Sequence, residues 1–153
     1  MGNSLHRAAR DGETIFLKNG LGYEGFDVNE RDLANGYTPL MWACTKARVE
    51  TVEELLDAGA DPSIAAKNGA TPLHCAAEHD LIGLARLLVA RGAAVDAVNN
   101  KGDTPLHQAC ANGNTLLALA GVQFVARGAS VDAINDSGET PLSIACHLGH
   151  TKL

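Results

Sequence analysis

Cysteine and histidine are the residues of this sequence that could most readily hold a metal ion or form a covalent cross-link. The chain has four cysteines and six histidines. Zinc sites of the finger type combine two Cys or His pairs at short, regular spacings. No set in this sequence has that spacing, and His147 and His150, three residues apart, have no second pair to complete a site. The sequence therefore predicts no metal site and no bound cofactor.

Catalysis would require a nucleophile, a base and oxyanion donors that converge in one pocket. The chain contains no Gly-x-Ser-x-Gly elbow, no P-loop and no His-Glu-x-x-His helix. Its Ser, His and Asp residues fall either in a repeated pattern or in polar connecting segments. We therefore predict no catalytic residues and no enzymatic activity.

A glycine-led motif recurs along the chain and organises it. Each copy reads Gly-x-Thr-Pro-Leu, and the copies start 33, 33 and 36 residues apart, at Gly36, Gly69, Gly102 and Gly138. A second glycine marker keeps the same register, at Gly59, Gly92 and Gly128. Because both series share the same three-residue insertion, they identify internal repeats.

The two markers predict where helices begin and end. Thr before Pro suits a helix N-terminus, because the hydroxyl can accept an N–H of the first turn and proline fits the first helical position. Small residues such as Ala76 and Ala77 follow, and then a segment such as Leu84-Leu87-Leu88 with helical spacing. The second glycine suits a left-handed helix end. Each unit is predicted to hold a short helix, a longer helix and a hairpin-like loop, and stacking completes its core.

The repeat also bears on the cysteines. Cys44, Cys110 and Cys146 occupy the same position in different units, and Cys75 is offset by two residues. Packed helices lie roughly 10 Å apart, whereas a disulfide needs Cα atoms within about 7 Å. We therefore expect free, small, buried thiols in a reducing compartment.

These residues make the sequence resemble the ankyrin-repeat family, which has a 33-residue period and a Thr-Pro-Leu-His-x-Ala pattern. Residues 71–76 and 104–109 match that pattern, Met41 and Ser143 replace its histidine, and residues 5–9 are similar to a first copy without Thr-Pro. The resemblance implies an all-α solenoid of stacked helix-turn-helix units joined by hairpin-like loops. It also implies one domain, 1–153, with repeats at approximately 1–33, 34–66, 67–99, 100–135 and a partial 136–153.

Three places depart from the family pattern. Gly20, Gly22 and Gly25 crowd the expected end of the first unit's second helix, which suits an N-terminal cap. Three extra residues within 114–125 predict a second helix longer by about one turn. Residues 149–153 are similar to the start of a further second helix. We interpret that end as a fragment of a longer protein, or as a half-unit covered by a partner.

Charge narrows the classes of partner. The formal net charge is -6, whereas nucleic-acid binding and attachment to a membrane surface both need clusters of Lys and Arg. The chain has neither a long apolar run nor a signal-like N-terminus. We expect a cytoplasmic protein, with the nucleus open as an alternative. It is expected to be a monomer or part of a longer chain.

In the family that the sequence resembles, partners usually contact the concave side, which is formed by loop tips and the exposed faces of first helices. Such an extended surface suits a protein or an extended peptide rather than a small-molecule substrate. The resemblance implies a protein-interaction module, with Tyr37 as the first candidate anchor and Trp42 in the core. The candidate partner-binding residues are Asn35, Tyr37, Thr45, Lys46, Lys67, Asn68, Glu78, His79, Asn100, Lys101, Asp103, Asn112, Asp136, Ser137, Glu139 and His147.

Two further functions and one modification stay open from the sequence. The stack could inhibit an enzyme such as a kinase, or it could target a larger enzyme or channel. In the family that the sequence resembles, an asparagine between the second helix and the loop can be hydroxylated. Asn29, with Leu21 eight residues before it, is the candidate for that modification here.

Overall fold

The computed structural model describes residues 3–14, 27–113 and 128–150, and every regular element in these ranges is a helix. The first helices of successive units contact each other in file. The predicted all-α stack of helix-turn-helix units is confirmed. The helices are α1 (Asn3–Asp11), α2 (Pro39–Thr45), α3 (Val49–Asp57), α4 (Pro72–Glu78), α5 (Ile82–Ala90), α6 (Pro105–Ala111) and α7 (Pro141–His147).

The Thr-Pro pair starts the first helix of each described unit after α1, as the sequence predicted. Thr38, Thr104 and Thr140 have extended backbones, and their hydroxyls accept hydrogen bonds from N–H groups of the first turn at 3.2–3.4 Å. Proline follows at the first helical position, where its missing N–H costs nothing. The helices therefore begin where the repeat motif places them.

Histidines of the motif join one unit to the loop of the next. The Nδ1 atom of His74 accepts the Thr71 N–H at 3.2 Å, so Nε2 carries the proton and donates to the Asp103 carbonyl oxygen at 2.9 Å. His107 repeats both bonds, with Nε2 3.0 Å from the Glu139 carbonyl oxygen. The motif histidines thus fix the turns through backbone groups.

Small side chains let the stacked helices approach closely. Ala43, Ala76 and Ala109 are fully buried, and Leu40 and Leu73 fill the space between units. The buried residues form one continuous cluster that crosses the described units from α1 onwards. The core is therefore a repeated layer of alanine and leucine contacts, and each layer needs its neighbour to exclude water.

Each loop is also hydrogen-bonded to the loop of the preceding unit. The N–H groups of Lys67, Asn100 and Asp136 donate to loop carbonyls one unit earlier, at 2.9–3.0 Å. Gly69 lies at this contact with φ of +78°, and a Cβ there would come within 2.7 Å of the Asn100 nitrogen. Glycine is thus required by both the backbone conformation and the close approach of the next loop.

A further left-handed position, not marked by the sequence motif, follows each described first helix. Glycine occupies it at Gly113 and Gly149, with φ of 67° and 75°. Ala47 and Asp80 occupy it in the second and third units, with φ of 55° and 56°. Because left-handed backbone is unfavourable for residues with a Cβ, these two turns are strained.

Some predictions lie outside the described residues. They concern Gly20, Gly22 and Gly25 of the first unit, the extra residues within 114–125 and the segment 151–153. The repeat boundaries also stay a prediction.

All four cysteines are free, as expected, and Cys44, Cys75 and Cys110 are buried. Cys146 is exposed on α7, which corrects the expectation that every thiol is buried.

The strained turn after α2 yields a stability prediction. We expect Ala47→Gly to raise the free energy of unfolding by about 0.5–1 kcal/mol, because relief of left-handed strain exceeds the entropy that glycine loses on folding. Urea denaturation would measure it. Ala58→Gly is the matched control, because Ala58 ends α3 with φ of -81° and should gain nothing. Equal effects at both positions would contradict the assignment of strain to Ala47.

The histidine bridge yields a pH prediction. Burial lowers the pKa of His74 below its ordinary value of 6.5, against weaker opposing effects of the Asp103 carbonyl and carboxylate. The unfolded chain therefore binds the proton first as the pH falls, so stability should decline from about pH 6.5 down to the lowered pKa of the folded protein.

A variant isolates that contribution. His74→Leu should cost about 1–3 kcal/mol at pH 7, because the buried partners of the imidazole lose their hydrogen bonds, and it should flatten the decline in stability below pH 6.5. His79→Leu, at an exposed residue beside α4, is the control for histidine content. An unchanged acid slope in His74→Leu would refute the link between the bridge and pH.

Candidate protein-binding face

The predicted loop-tip residues lie in file along one side of the stack. Asn35, Lys67, Asn68, Asn100 and Lys101 are exposed, while their backbones take part in the hydrogen bonds between loops. The Lys67 ammonium also reaches back to the carbonyl oxygens of residues 33 and 34. The arrangement combines a fixed backbone with outward side chains, which lowers the entropy cost of binding a partner.

The predicted residues at the ends of first helices lie beside these loops. Lys46, Glu78, His79, Asn112 and His147 are exposed. The Asn112 amide donates to the Gln108 carbonyl oxygen at 2.9 Å, whereas its neighbours on the stack present charged or ionisable groups. The row offers a partner positive and negative groups, one unit after another.

Tyr37 is half-buried where the second and third units meet. Its ring centroid lies 5.4 Å from that of Trp42, at an interplanar angle of 58°. Burial raises the pKa of the Tyr37 phenol to about 12, and the neighbouring Thr45 hydroxyl donates to the Met41 carbonyl oxygen at 2.8 Å. Tyr37 is therefore a neutral, well-held aromatic group with part of its ring open to a partner.

Trp42 does not lie in the core, which corrects the prediction from the sequence. It is half-buried, and its Nε1–H donates to the Asp32 carboxylate at 2.7 Å. One repeat later the same position is held by Cys75, which is 3% exposed. A thiol fits between stacked units but an indole does not, so the ring extends onto the surface beside the loop.

The Asp32 carboxylate ties that loop to the indole. Burial opposes its ionisation, but hydrogen bonds from the backbone of Asn35, from Trp42 and from Gly36 outweigh burial and lower the pKa of Asp32. Its negative charge is therefore held by donors of its own loop and of α2, rather than presented to a partner.

Three pockets follow each other along this side of the stack. The first, of about 440 Å³, lies between α1, the loop at 32–34 and Trp42. The second, of about 260 Å³, is lined by Tyr37, Cys75 and Glu78. The third, of about 600 Å³, is lined by Glu139 and α7 residues that include His147. All three open to solvent along an extended surface.

Charge differs between the two ends of this surface. Arg7 and Arg10 of α1 line the first pocket. The third pocket is lined by Asp103, Asp136 and Glu139, with the His147 imidazole 4.0 Å from the Glu139 carboxylate. An extended partner would thus meet basic groups at one end and mainly acidic groups at the other.

Some predicted binding residues also hold the fold. The Asp103 carboxylate accepts from the Asn135 amide at 2.8 Å, and the Asp103 and Glu139 carbonyls accept the histidine bridges. Ser137 and Asp136 lie exposed at the last loop tip. Substituting Asp103 would therefore disturb the stack as well as the surface.

Residues that the sequence analysis missed lie around the first pocket. Leu33, Arg7 and Arg10 all line it. The loop that carries Leu33 is one residue longer than its counterparts. The Asp32 N–H donates to the carbonyl oxygen of Tyr37, five residues on, whereas the Asn99 N–H donates to that of Asp103, four residues on. Aligning the loops would have revealed this extra residue.

Asn29 lies half-buried at the turn before that loop. Its side-chain oxygen accepts the Asp61 N–H at 2.8 Å, one unit later. The corresponding Asp96 accepts the Ser130 N–H at 3.0 Å. Asn29 thus has a structural role in the stack, and its hydroxylation stays a prediction.

In the part of the chain that the structure describes, no group of three or more His, Cys, Asp or Glu residues is placed to hold a metal ion. Among the helices given above, none combines the length and apolar character needed to cross a membrane.

The chain matches the model of one known protein family and is similar to several known proteins. A family model described as ankyrin repeats, in three copies, matches residues 5–99 and 82–153. Human DNA-binding protein RFXANK is 45% identical over 64 residues, which are 42% of this chain and 24% of that protein. Human ankyrin repeat family A protein 2 is 39% identical over 64 residues, 42% of this chain and 20% of that protein. The match thus covers about a quarter or less of either relative.

The Asp32–Trp42 hydrogen bond can be measured by a double-mutant cycle. Asp32→Asn keeps a side-chain oxygen that can accept from the loop N–H groups, as the side-chain oxygen of Asn99 does in a later loop. Trp42→Phe removes the indole donor. We expect a coupling of about 0.5–1 kcal/mol at pH 7, below the usual contribution of a hydrogen bond to a charged acceptor because the pair is partly exposed.

Acid provides the second arm of that test. The folded-state pKa of Asp32 lies below its ordinary value of 3.8, so the coupling should persist above that value and disappear as the pH falls through the lowered one. Asp27→Asn is the control, since its carboxylate caps the Asn29 N–H. Coupling of Trp42 to Asp27 as strong as to Asp32 would contradict the assignment.

Proposed function

This chain belongs to the ankyrin-repeat family, and from that premise we propose that it binds a protein partner along the surface formed by its loop tips and first helices. Ankyrin repeats are protein-interaction modules. The observation that carries the proposal is the file of exposed side chains on loops whose backbones are bonded from unit to unit. A rigid backbone with outward polar groups suits recognition of another protein.

Tyr37 is the proposed anchor at the centre of this surface. It combines a half-buried ring with an aromatic neighbour, Trp42, 5.4 Å away between ring centroids. Tyrosine and tryptophan contribute much of the binding energy at many interfaces because they bury large area with few rotatable bonds. Lys46 and His79 lie exposed at the ends of the neighbouring first helices, where they would add electrostatic selectivity.

The proposed partner is a protein rather than DNA. RFXANK carries DNA binding in its printed name, and that description belongs to RFXANK. This chain has a net charge of -6, and its third pocket is lined by carboxylates, which would repel a phosphate backbone. We place the protein in the cytoplasm, or in the nucleus with its partner.

Affinity capture with matched variants tests the proposal. The surface variant combines Tyr37→Ala, Lys46→Glu and His79→Glu. The control combines Val49→Ala, Glu50→Ala and Arg86→Ala, three exposed positions on the second helices α3 and α5. We expect the surface variant to lose a stoichiometric protein partner, with affinity at least about tenfold weaker, and the control to keep it.

The outcomes separate the functions that the sequence left open. Capture that survives the surface variant but fails in the control would refute the proposed surface. Because Tyr37→Ala removes packing against Trp42, Lys46→Glu with His79→Glu is tested separately and should weaken binding without a change in melting temperature. A recovered kinase that loses activity would identify the chain as an inhibitor.

A further inference from the structure

Leu33 is the most exposed large apolar side chain in the described part of the protein, with 95% of its surface accessible. It lies in the loop that is one residue longer than its counterparts. Asp32 N–H donates to Tyr37 across this loop at 2.8 Å, whereas Asn99 and Asn135 span loops that are shorter by one residue. Leu33 lies at the tip of this longer loop, directly after Asp32.

Hydrogen bonds hold this longer loop in place. The Asp32 carboxylate accepts from the N–H groups of Asn35 at 2.7 Å and Gly36 at 3.0 Å. The Lys67 ammonium, from the next unit, binds the carbonyl oxygens of Leu33 and Ala34. Leu33 is therefore presented to solvent by a fixed backbone, and presenting it to a partner requires little further ordering.

The pocket beside Leu33 has the size and lining to receive an apolar side chain. Its volume is about 440 Å³, and the Trp42 indole and Ala34 form apolar walls. Trp42 is fixed by its bond to Asp32. Burying an apolar side chain between Leu33 and this ring would remove apolar surface from water on both molecules.

The groups around the pocket are basic although the chain is acidic overall. Arg7 and Arg10 line it, and Lys67 lies at the loop tip. The Asp32 carboxylate already accepts three hydrogen bonds, from Asn35 and Gly36 of its own loop and from Trp42 of α2. Asp11 pairs with Arg10 at 2.9 Å, which leaves Arg10 partly neutralised and Arg7 and Lys67 as the main positive charges.

We propose that this pocket binds an extended segment of the partner in which a large apolar side chain is flanked by carboxylates. The apolar side chain would lie between Leu33 and Trp42, and the carboxylates would pair with Arg7 and Lys67. The proposal rests on the proposed function and deepens it, because it assigns the chemical class of the segment that is bound. A nucleic acid would also meet these cations, but the carboxylates of the third pocket and the net charge of -6 would repel its phosphates.

The test uses displayed random linear peptides selected on the whole chain, followed by synthetic copies measured by fluorescence anisotropy. The expected peptides carry Asp or Glu on both sides of Leu, Phe or Trp. Leu33→Ser and Arg7→Glu should each weaken their binding at least about tenfold. Raising the salt concentration should weaken it further, because the charges are exposed to solvent.

Two matched variants serve as controls. Ile134→Ser removes another exposed apolar loop residue, which is 68% exposed and lies far along the stack. Arg86→Glu reverses an exposed arginine on the second helix α5. Both should bind the peptides as the parent does. A fluorescein-labelled single-stranded oligothymidine forms a separate arm, and it should not bind.

The outcomes distinguish this inference from the broader proposal. Peptides that lose binding through Tyr37→Ala or His79→Glu, but not through Leu33→Ser, would overturn the pocket assignment and leave the binding surface in place. Peptides indifferent to every one of these variants would overturn both. Selection of non-acidic peptides, failure to select any peptide, or binding of the oligothymidine instead would overturn the inference.

Discussion

The hydrogen bond from a motif histidine to a loop carbonyl of the next unit is the constraint on which the rest of this structure depends. A pair of short helices cannot cover its own apolar faces, so the units must stack, and stacking brings polar backbone groups together. His74 and His107 satisfy those groups on both sides, since each accepts from its own turn and donates to the next loop. Where Met41 replaces the histidine, Lys67 joins the second and third units through its backbone and its side chain.

The proposed binding surface follows from this constraint. Loops that are bonded to one another have fixed spacing, so one set of side chains per unit is presented at regular intervals. Some of those side chains are used within the stack, as in the hydrogen bond from the Asn135 amide to the Asp103 carboxylate. Others, such as Lys46 and His79, remain exposed. We propose that variation in the loops decides what each pocket accepts; the loop with the extra residue before Asn35 carries the exposed Leu33 beside Arg7 and Arg10.

The sequence predicted those features that repeat. Thr-Pro marked the helix starts, and the glycine markers occupy positions with positive φ, because these features depend on local backbone preferences. The individual features were harder to predict. Trp42 was predicted to lie in the core because its position in the first helix normally packs inward, but its indole is half-buried and bonded to Asp32. Leu33 was missed because the loop that carries it departs from the repeat by a single inserted residue. Ala47 and Asp80 gave no signal, since residues with a Cβ do not mark a left-handed position in a sequence.

Amide hydrogen exchange by NMR tests the central claim that units fix one another's loops. The N–H groups of Lys67 and Asn100 belong to exposed loop-tip residues, yet each donates to the preceding loop at 2.9–3.0 Å. The account predicts strong protection of both amides, and loss of protection at Asn100 in His74→Leu while the α2 amides stay protected. Exchange of Lys67 and Asn100 in the parent at the rate of an unstructured peptide would contradict it.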